Sequence, residues 1–240
     1  MKRSFVGVTD TGVVRTVNQD SHYVDDPQGR FFIVADGMGG HAGGEEASKI
    51  ATETIRVYLE ENWDNAEISS EVLLQEAIEK ANQGILEDQS LHPERKDMGT
   101  TVVVLIFREQ PWRVHVGDSR LYRWRNSQLE QVTEDHTWVS MAMKSGEITR
   151  EQAKMHPWRH VLSQCLGRKD LFKIDLHPLD VQAGDRLLIC SDGLTEEVSD
   201  EEITSLIGSS SDQKELAQKL IVSAKDAGGS DNITVVMVDC

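Results

Sequence analysis

Apolar residues recur along the chain in two rhythms, short unbroken runs and longer stripes at helical spacing. Runs at residues 5–9, 22–25, 31–35, 101–107, 112–116, 120–124, 174–179, 186–191 and 233–238 predict strands. They carry β-branched or aromatic residues and are bounded by turn residues. Ala47, Ile50, Ala51, Ile55, Tyr58 and Leu59 share one face of a predicted helix, and Val72, Leu73, Ala77, Ile78, Ala81 and Ile85 one face of the next. Leu216, Ala217, Leu220, Ile221 and Ala224 form a third stripe. Pro27-Gln28-Gly29 reads as a hairpin turn, and consecutive strands imply antiparallel pairing. The pattern predicts an α+β fold, a single domain over residues 1–240, with sheets packed together and helices outside.

Between residues 135 and 167 the rhythm breaks into short helical pieces. One is opened by Thr149 with Gln152 at capping-box spacing and stopped before Pro157. This predicts an inserted flap over about 137–167. Its His156 and His160 are four apart, a spacing that can bind metal on a helix, but Pro157 between them argues against a regular helix there.

Charge narrows the partners. Lys plus Arg total 25 against 41 Asp plus Glu, a formal charge of -16, which disfavours nucleic acid and anionic membrane surfaces. No apolar run is long enough for a bilayer, and the N-terminal stretch lacks a signal-peptide core, so a cytoplasmic location is expected. Cys165, Cys190 and Cys240 form no CxxC pair, which fits a reducing compartment. Nothing in the pattern demands more than a monomer.

The acids carry the chemistry. Asp36 ends the run 31–35 and is followed by Gly37, Gly39, Gly40, Gly43 and Gly44, which allow close approach of the backbone to a ligand. Asp118-Ser119 follows the run 112–116, Asp192-Gly193 follows 186–191, and Asp231-Asn232 precedes 233–238. The hairpin brings Arg15 and Asp20 towards Asp36. Two carboxylates about 4 Å apart repel by roughly 4 kcal/mol at an effective dielectric of 20, so a converging set needs a cation. Oxygen-only donors select Mg²⁺, Mn²⁺ or Ca²⁺ over zinc or copper.

Six motifs stand in order: Arg15 with Asn18-Gln19-Asp20, ADGMGGHAGG at 35–44, MGTT at 98–101, HVGDSR at 115–120, CSDGL at 190–194 and GGSDNITVV at 228–236. Together they resemble the metal-dependent protein phosphatases, the type 2C family, over almost the whole chain. The compact length and the flap residues Thr149, His156-Pro157 and Arg159 look like bacterial members, especially the cyanobacterial kind acting on phosphorylated PII signalling protein.

The resemblance implies a four-layer αββα sandwich, two antiparallel sheets flanked by helix pairs, and a protein serine/threonine phosphatase. By motif position Asp36 would bridge two core Mg²⁺ or Mn²⁺ ions, Gly37 would offer its carbonyl to one, and Asp192 and Asp231 would complete the other. Asp20 would act through water, Asp118 with Asp192 would hold a weaker third ion, and Arg15 would grip the phosphate. Hydrolysis would proceed by direct attack of a hydroxide bridging the two metals. Many eukaryotic relatives have DGHGG where this chain has Met38, so either His41 or a metal-bound water becomes the candidate general acid. The implied partner is a phosphorylated protein, PII signalling protein among them.

Other readings fit less of the chain. A cysteine phosphate loop needs Arg six residues after Cys, where this chain has Leu171 and Glu196. Gly37-x-Gly39-x-x-Ala42 with Glu60 matches a dinucleotide fingerprint but leaves Asp118, Asp192 and Asp231 without a role. A non-catalytic regulatory binding domain of the same fold would give no reason to hold several acids together. A small-molecule phosphohydrolase would use the same site.

Overall fold

The computed structural model describes residues 3–39, 43–171, 174–210 and 212–240. Among these residues eleven strands appear in the order β1 (Ser4–Asp10), β2 (Asp20–Val24), β3 (Phe31–Met38), β4 (Gly99–Thr100), β5 (Val102–Phe107), β6 (Pro111–Val116), β7 (Arg120–Arg125), β8 (Gln128–Gln131), β9 (Asp175–Pro178), β10 (Arg186–Cys190) and β11 (Ile233–Asp239). Helices α1 (Gly43–Asn62) and α2 (Ser70–Leu91) separate β3 from β4. Short helices α3 (Trp138–Lys144) and α4 (Arg150–Lys154) separate β8 from β9. Helices α5 (Asp192–Thr195), α6 (Asp200–Ser209) and α7 (Gln213–Ala227) lead into β11.

All strand pairs are antiparallel, in two sheets ordered β1-β11-β10-β7-β8 and β2-β3-β5-β6-β9, with β4 added beside β3. That pairing excludes the parallel βαβ unit of a dinucleotide site. Side chains alternate between faces along a strand, and here both faces are covered. Phe31 and Ile33 of β3 pack with the stripes of α1 and α2, while Phe32 and Val34 pack between the sheets against Val103, Leu105, Leu187, Ile189, Val236 and Val238. Leu188, Cys190, Val235 and Met237 face α5, α6 and α7 on the far side. Three cores between four layers give the αββα sandwich, and they explain why the strands read as unbroken apolar runs. Each fully buried Ile, Leu or Phe contributes about 1.5–3 kcal/mol.

Local signals set the helix ends. Ser69 caps α2 by accepting from the Val72 N–H, Asp212 caps α7 by accepting from the Glu215 N–H, and Thr149 with Gln152 forms the full capping box of α4. Two details depart from the sequence reading. Val72 is exposed, and Leu74 takes a buried place beside Leu73. Strand β3 does not end at Ala35 but runs through Asp36 and Gly37 to Met38, because β2 and β4 supply pairing partners there. Among the described residues, no helix is long and apolar enough to cross a membrane.

Candidate active site and metal centre

At one end of the sandwich the rows of side chains between the sheets turn from apolar to polar. On β3 the row Phe32, Val34 continues to Asp36, and on β2 the row from Val24 reaches Asp20, the direct cross-strand partner of Asp36. On β11 the row Val238, Val236 continues to Thr234, and beyond β10 the row Leu187, Ile189 continues to Ser191. Thr101 before β5 and Ser119 before β7 complete the set, hydrogen-bonded to each other at 2.6 Å. The same packing that makes the core therefore gathers polar groups at its mouth.

Those groups hold the acids in place. One oxygen of Asp20 accepts from Ser191 Oγ at 2.7 Å and Thr234 Oγ1 at 2.6 Å. Its other oxygen, Oδ1, is buried without a protein partner. The Asp36 backbone is pinned three times: its N–H donates to Thr101 Oγ1 at 3.0 Å, and its carbonyl accepts from the Thr101 N–H and from Thr100 Oγ1, both at 2.8 Å. Asn232 locks the loop before β2 to the loop before β11, accepting from the Gln19 N–H and donating to the carbonyls of Thr11 and Val17.

Gly37 is required by space rather than by φ. A Cβ on it would lie 1.9 Å from the Gly44 carbonyl oxygen, so helix α1 can start against the strand only with glycine there. Among the described glycines of this stretch, Gly39 alone has positive φ, at 130°. Gly193 plays the matching part on the other sheet, where a Cβ would lie 2.1 Å from the Asn232 carbonyl oxygen. This contact brings Asp192, the first residue of α5, beside Asp231.

A cleft of about 900 Å³ opens over this end, lined by Arg15, Asp36, Gly37, Asp118, Asp192 and Asp231. Asp20 stands behind that lining. Burial, reinforced by the charges of Asp20, Asp192 and Asp118, raises the Asp36 carboxyl well above the usual carboxylate range. Asp118 is raised by burial and then by Asp192, and Asp192 is raised by burial. Asp20 is pushed up to about 7, chiefly by burial, with its two hydroxyl partners opposing and Asp192 and Asp231 adding to the rise. Arg15 lies half exposed on the rim, donating from one terminal nitrogen to Asp231 Oδ2 at 2.8 Å.

The donor set fits a hard divalent cation. Asp36 on its pinned backbone and Asp20 on its two hydroxyl donors have little room to splay, the acids all offer oxygen, and the Asp20 Oδ1 is buried with nothing in the protein to satisfy it. The sequence-based candidates Arg15, Asp20, Asp36, Gly37, Asp118, Asp192 and Asp231 thus meet at one end of the fold. His41 lies outside the described residues. His156 and His160 do not form a pair: His156 stacks on Trp138 with ring centroids 4.6 Å apart, whereas His160 contacts Glu196 beside Asp192. Thr101, Ser119, Ser191, Thr234 and Asn232 stand within the motifs, but the sequence assigns them no role of their own because a polar residue at a strand end is ordinary. Cys165 and Arg168, also on the cleft wall, carried no spacing signal.

Comparison with known proteins agrees with this geometry. The family model described as Protein phosphatase 2C matches residues 13–226. Protein phosphatase PhpP of Streptococcus pneumoniae is 36% identical over 239 residues, spanning 96% of this chain and 95% of PhpP. The crystal structure of the Mycobacterium tuberculosis serine/threonine phosphatase PstP/Ppp superposes with a TM-score of 0.89 at 36% identity, covering 99% of this chain and 98% of that one. The catalytic domain of PstP in complex with 2 manganese ions gives 0.85 at 34% identity, covering 99% and 97%. The chain belongs to the protein phosphatase 2C family.

Proposed function

We propose that this cleft hydrolyses phosphoserine and phosphothreonine in proteins with divalent cations held by its aspartates. The observation that carries the reading is the gathering of Asp20, Asp36, Asp192 and Asp231 at the mouth of the sandwich, with the Asp20 Oδ1 buried and unpartnered. Asp36 and the Gly37 carbonyl, with Asp192 and Asp231, are suited to two core ions, Mg²⁺ or Mn²⁺. Asp20 is suited to an outer place reached through water. Asp118, whose carboxyl is raised by burial and then by the charge of Asp192, is suited to a weaker third ion. When bound, such cations supply an activated water and neutralise phosphoryl oxygens.

The protein's own groups do the rest. Arg15 commits one nitrogen to Asp231 and keeps further donors for a phosphate, whose geometry a guanidinium matches. His41 is the candidate donor of a proton to the leaving oxygen. The segment with α3 and α4 bears exposed Met155, Trp158 and Val161 beside the cleft residues His160 and Leu162, which suits it to contact a protein substrate around the phosphorylated residue. Phosphorylated PII signalling protein is one substrate to try.

The test is phosphate release from a phosphothreonine peptide with Mn²⁺, Mg²⁺ or chelator, for the wild type and Asp36→Ala. Turnover with metal, abolished by chelation and by the substitution, is expected. Folded wild-type protein inert under every metal would overturn the reading in favour of a regulatory binding domain.

A further inference from the structure

Asp118 is held differently from the other acids. Among the described residues no side chain hydrogen-bonds its carboxylate, whereas Asp20 has two hydroxyl donors and Asp231 has Arg15. Its place depends on the backbone of the loop between β6 and β7. The preceding residue, Gly117, has φ 108°, and a Cβ there would lie 2.6 Å from Thr101, so this loop is packed against the residue that pins Asp36.

Gly117 is gripped by one residue on both of its backbone polar groups. The His136 N–H donates to the Gly117 carbonyl at 2.9 Å, and the Gly117 N–H donates to His136 Nδ1 at 3.2 Å. The second bond requires Nδ1 to be unprotonated, which agrees with burial lowering the His136 pKa. The His136 carbonyl in turn accepts from the Ser163 N–H at 2.8 Å, tying the returning end of the flap segment to the same point.

The His136 ring is itself supported. It stacks on the fully buried His115, with centroids 4.5 Å apart and planes 20° from parallel. His115 donates from Nε2 to the Glu134 carbonyl at 2.8 Å and accepts at Nδ1 from Arg113 at 2.9 Å, and the same Arg113 nitrogen donates to Asp175 at 3.0 Å. His115, His136 and Asp175 lie close enough to suggest a metal site. The Arg113 guanidinium already supplies the positive partner between His115 and Asp175, so the cluster is a buttress.

We propose that His136 is a positioning residue that sets Asp118 for the weaker third cation by clamping Gly117 at both its N–H and its carbonyl. This rests on the reading of Asp118 as a ligand of that ion. The clamp also places the flap root and this ligand in one mechanical unit.

The experiment measures Mn²⁺ binding directly, by calorimetry and by the electron paramagnetic resonance signal of free Mn²⁺, for the wild type, Asp118→Asn, His136→Ala and His136→Asn. Urea denaturation in chelator reports whether each variant is folded. Asp118→Asn is expected to remove the weak site and leave the tight ions. His136→Ala should weaken that site by about tenfold or more with the tight ions unchanged, the scale of one lost hydrogen bond. His136→Asn, whose amide oxygen can take the Nδ1 acceptor role, should recover most of that loss.

A weak site unchanged in folded His136→Ala, while Asp118→Asn abolishes it, would overturn the clamp and leave the site assignment standing. A weak site that survives Asp118→Asn would overturn the assignment and the clamp with it. Should His136→Ala fail to fold, His136→Phe, which keeps a ring against His115 but has no acceptor for the Gly117 N–H, decides: a weak site about tenfold poorer supports the clamp, and one unchanged refutes it.

Discussion

In chelator, Asp20→Asn should make the protein more stable, although Asp20 belongs to the site. The Asp20 carboxyl rises from 3.8 to about 7 in the folded protein, mainly through burial. Since the folded pKa exceeds the unfolded one, the native state keeps a proton that the unfolded chain releases. Its stabilising share is complete below about pH 4 and is lost as pH climbs through 7. A shift of about three units corresponds to about 4 kcal/mol at most. Asparagine preserves the shape, and its Oδ1 can still accept from Ser191 and Thr234, without a charge to bury. Urea denaturation in chelator should therefore show the variant about 2–4 kcal/mol more stable at pH 7.5, and only about 1 kcal/mol more stable near pH 4.5. Taking the difference between the two proteins cancels the buried His115 and the half-buried His22 and His136, whose lowered pKa values make stability rise with pH instead. With saturating Mn²⁺ the order should reverse, because the wild-type carboxylate helps to hold the cations. A variant no more stable than wild type at pH 7.5 in chelator would refute the claim that burial of this charge is costly.

Two substitutions probe the geometry and the proton donor. Gly193→Ala would put a methyl into the Asn232 carbonyl, 2.1 Å away, and so separate Asp192 from Asp231. Phosphatase activity should fall by about 100-fold or more, the scale of an ångström displacement of reacting groups, and activity within a few-fold of wild type would contradict the role given to this contact. His41→Ala should slow hydrolysis of an alkyl phosphate more than that of an aryl phosphate, whose leaving group needs less protonation, and equal losses on both would remove His41 as general acid.

How much of this was legible depends on which residues carried a local signal. Asp36, Asp118, Asp192 and Asp231 each adjoin an apolar run and a glycine or turn residue, so the linear pattern marked them. Thr101, Ser119, Ser191 and Thr234 became meaningful only when alternation along six strands was combined with the sandwich, which sends their side chains to one end of the same core. The role of His136 depends on a contact 19 residues away in sequence, with Gly117, and no periodicity encodes it. The glycines after Asp36 look like a turn, so the sequence alone places it at a strand tip. In the fold Gly37 continues the strand opposite Thr100, and what demands glycine is the helix start pressed against it.

The way each acid is held bears on how tightly a cation can be bound. Asp20 and Asp36 are directly opposed on neighbouring antiparallel strands, about 5 Å apart at the Cα atoms. The Asp36 backbone is fixed by Thr100 and Thr101, and the Asp20 carboxylate by Ser191 and Thr234. Repulsion between them cannot be relaxed by moving either strand without breaking the inter-sheet core behind them. A proton or a cation would relieve it, so at neutral pH the proposed cations would gain affinity from that repulsion. Asp118 sits on a loop and owes its place to a backbone clamp, so its repulsion with Asp192 has a second outlet in small movements of that loop. Under the proposed assignment the core ions should bind the more tightly, because the backbone of Asp36 cannot yield and Asp20 is fixed behind it, and the third more weakly, because the loop that carries Asp118 can yield, so stiffening the Gly117 loop is the route by which the chain would tighten it.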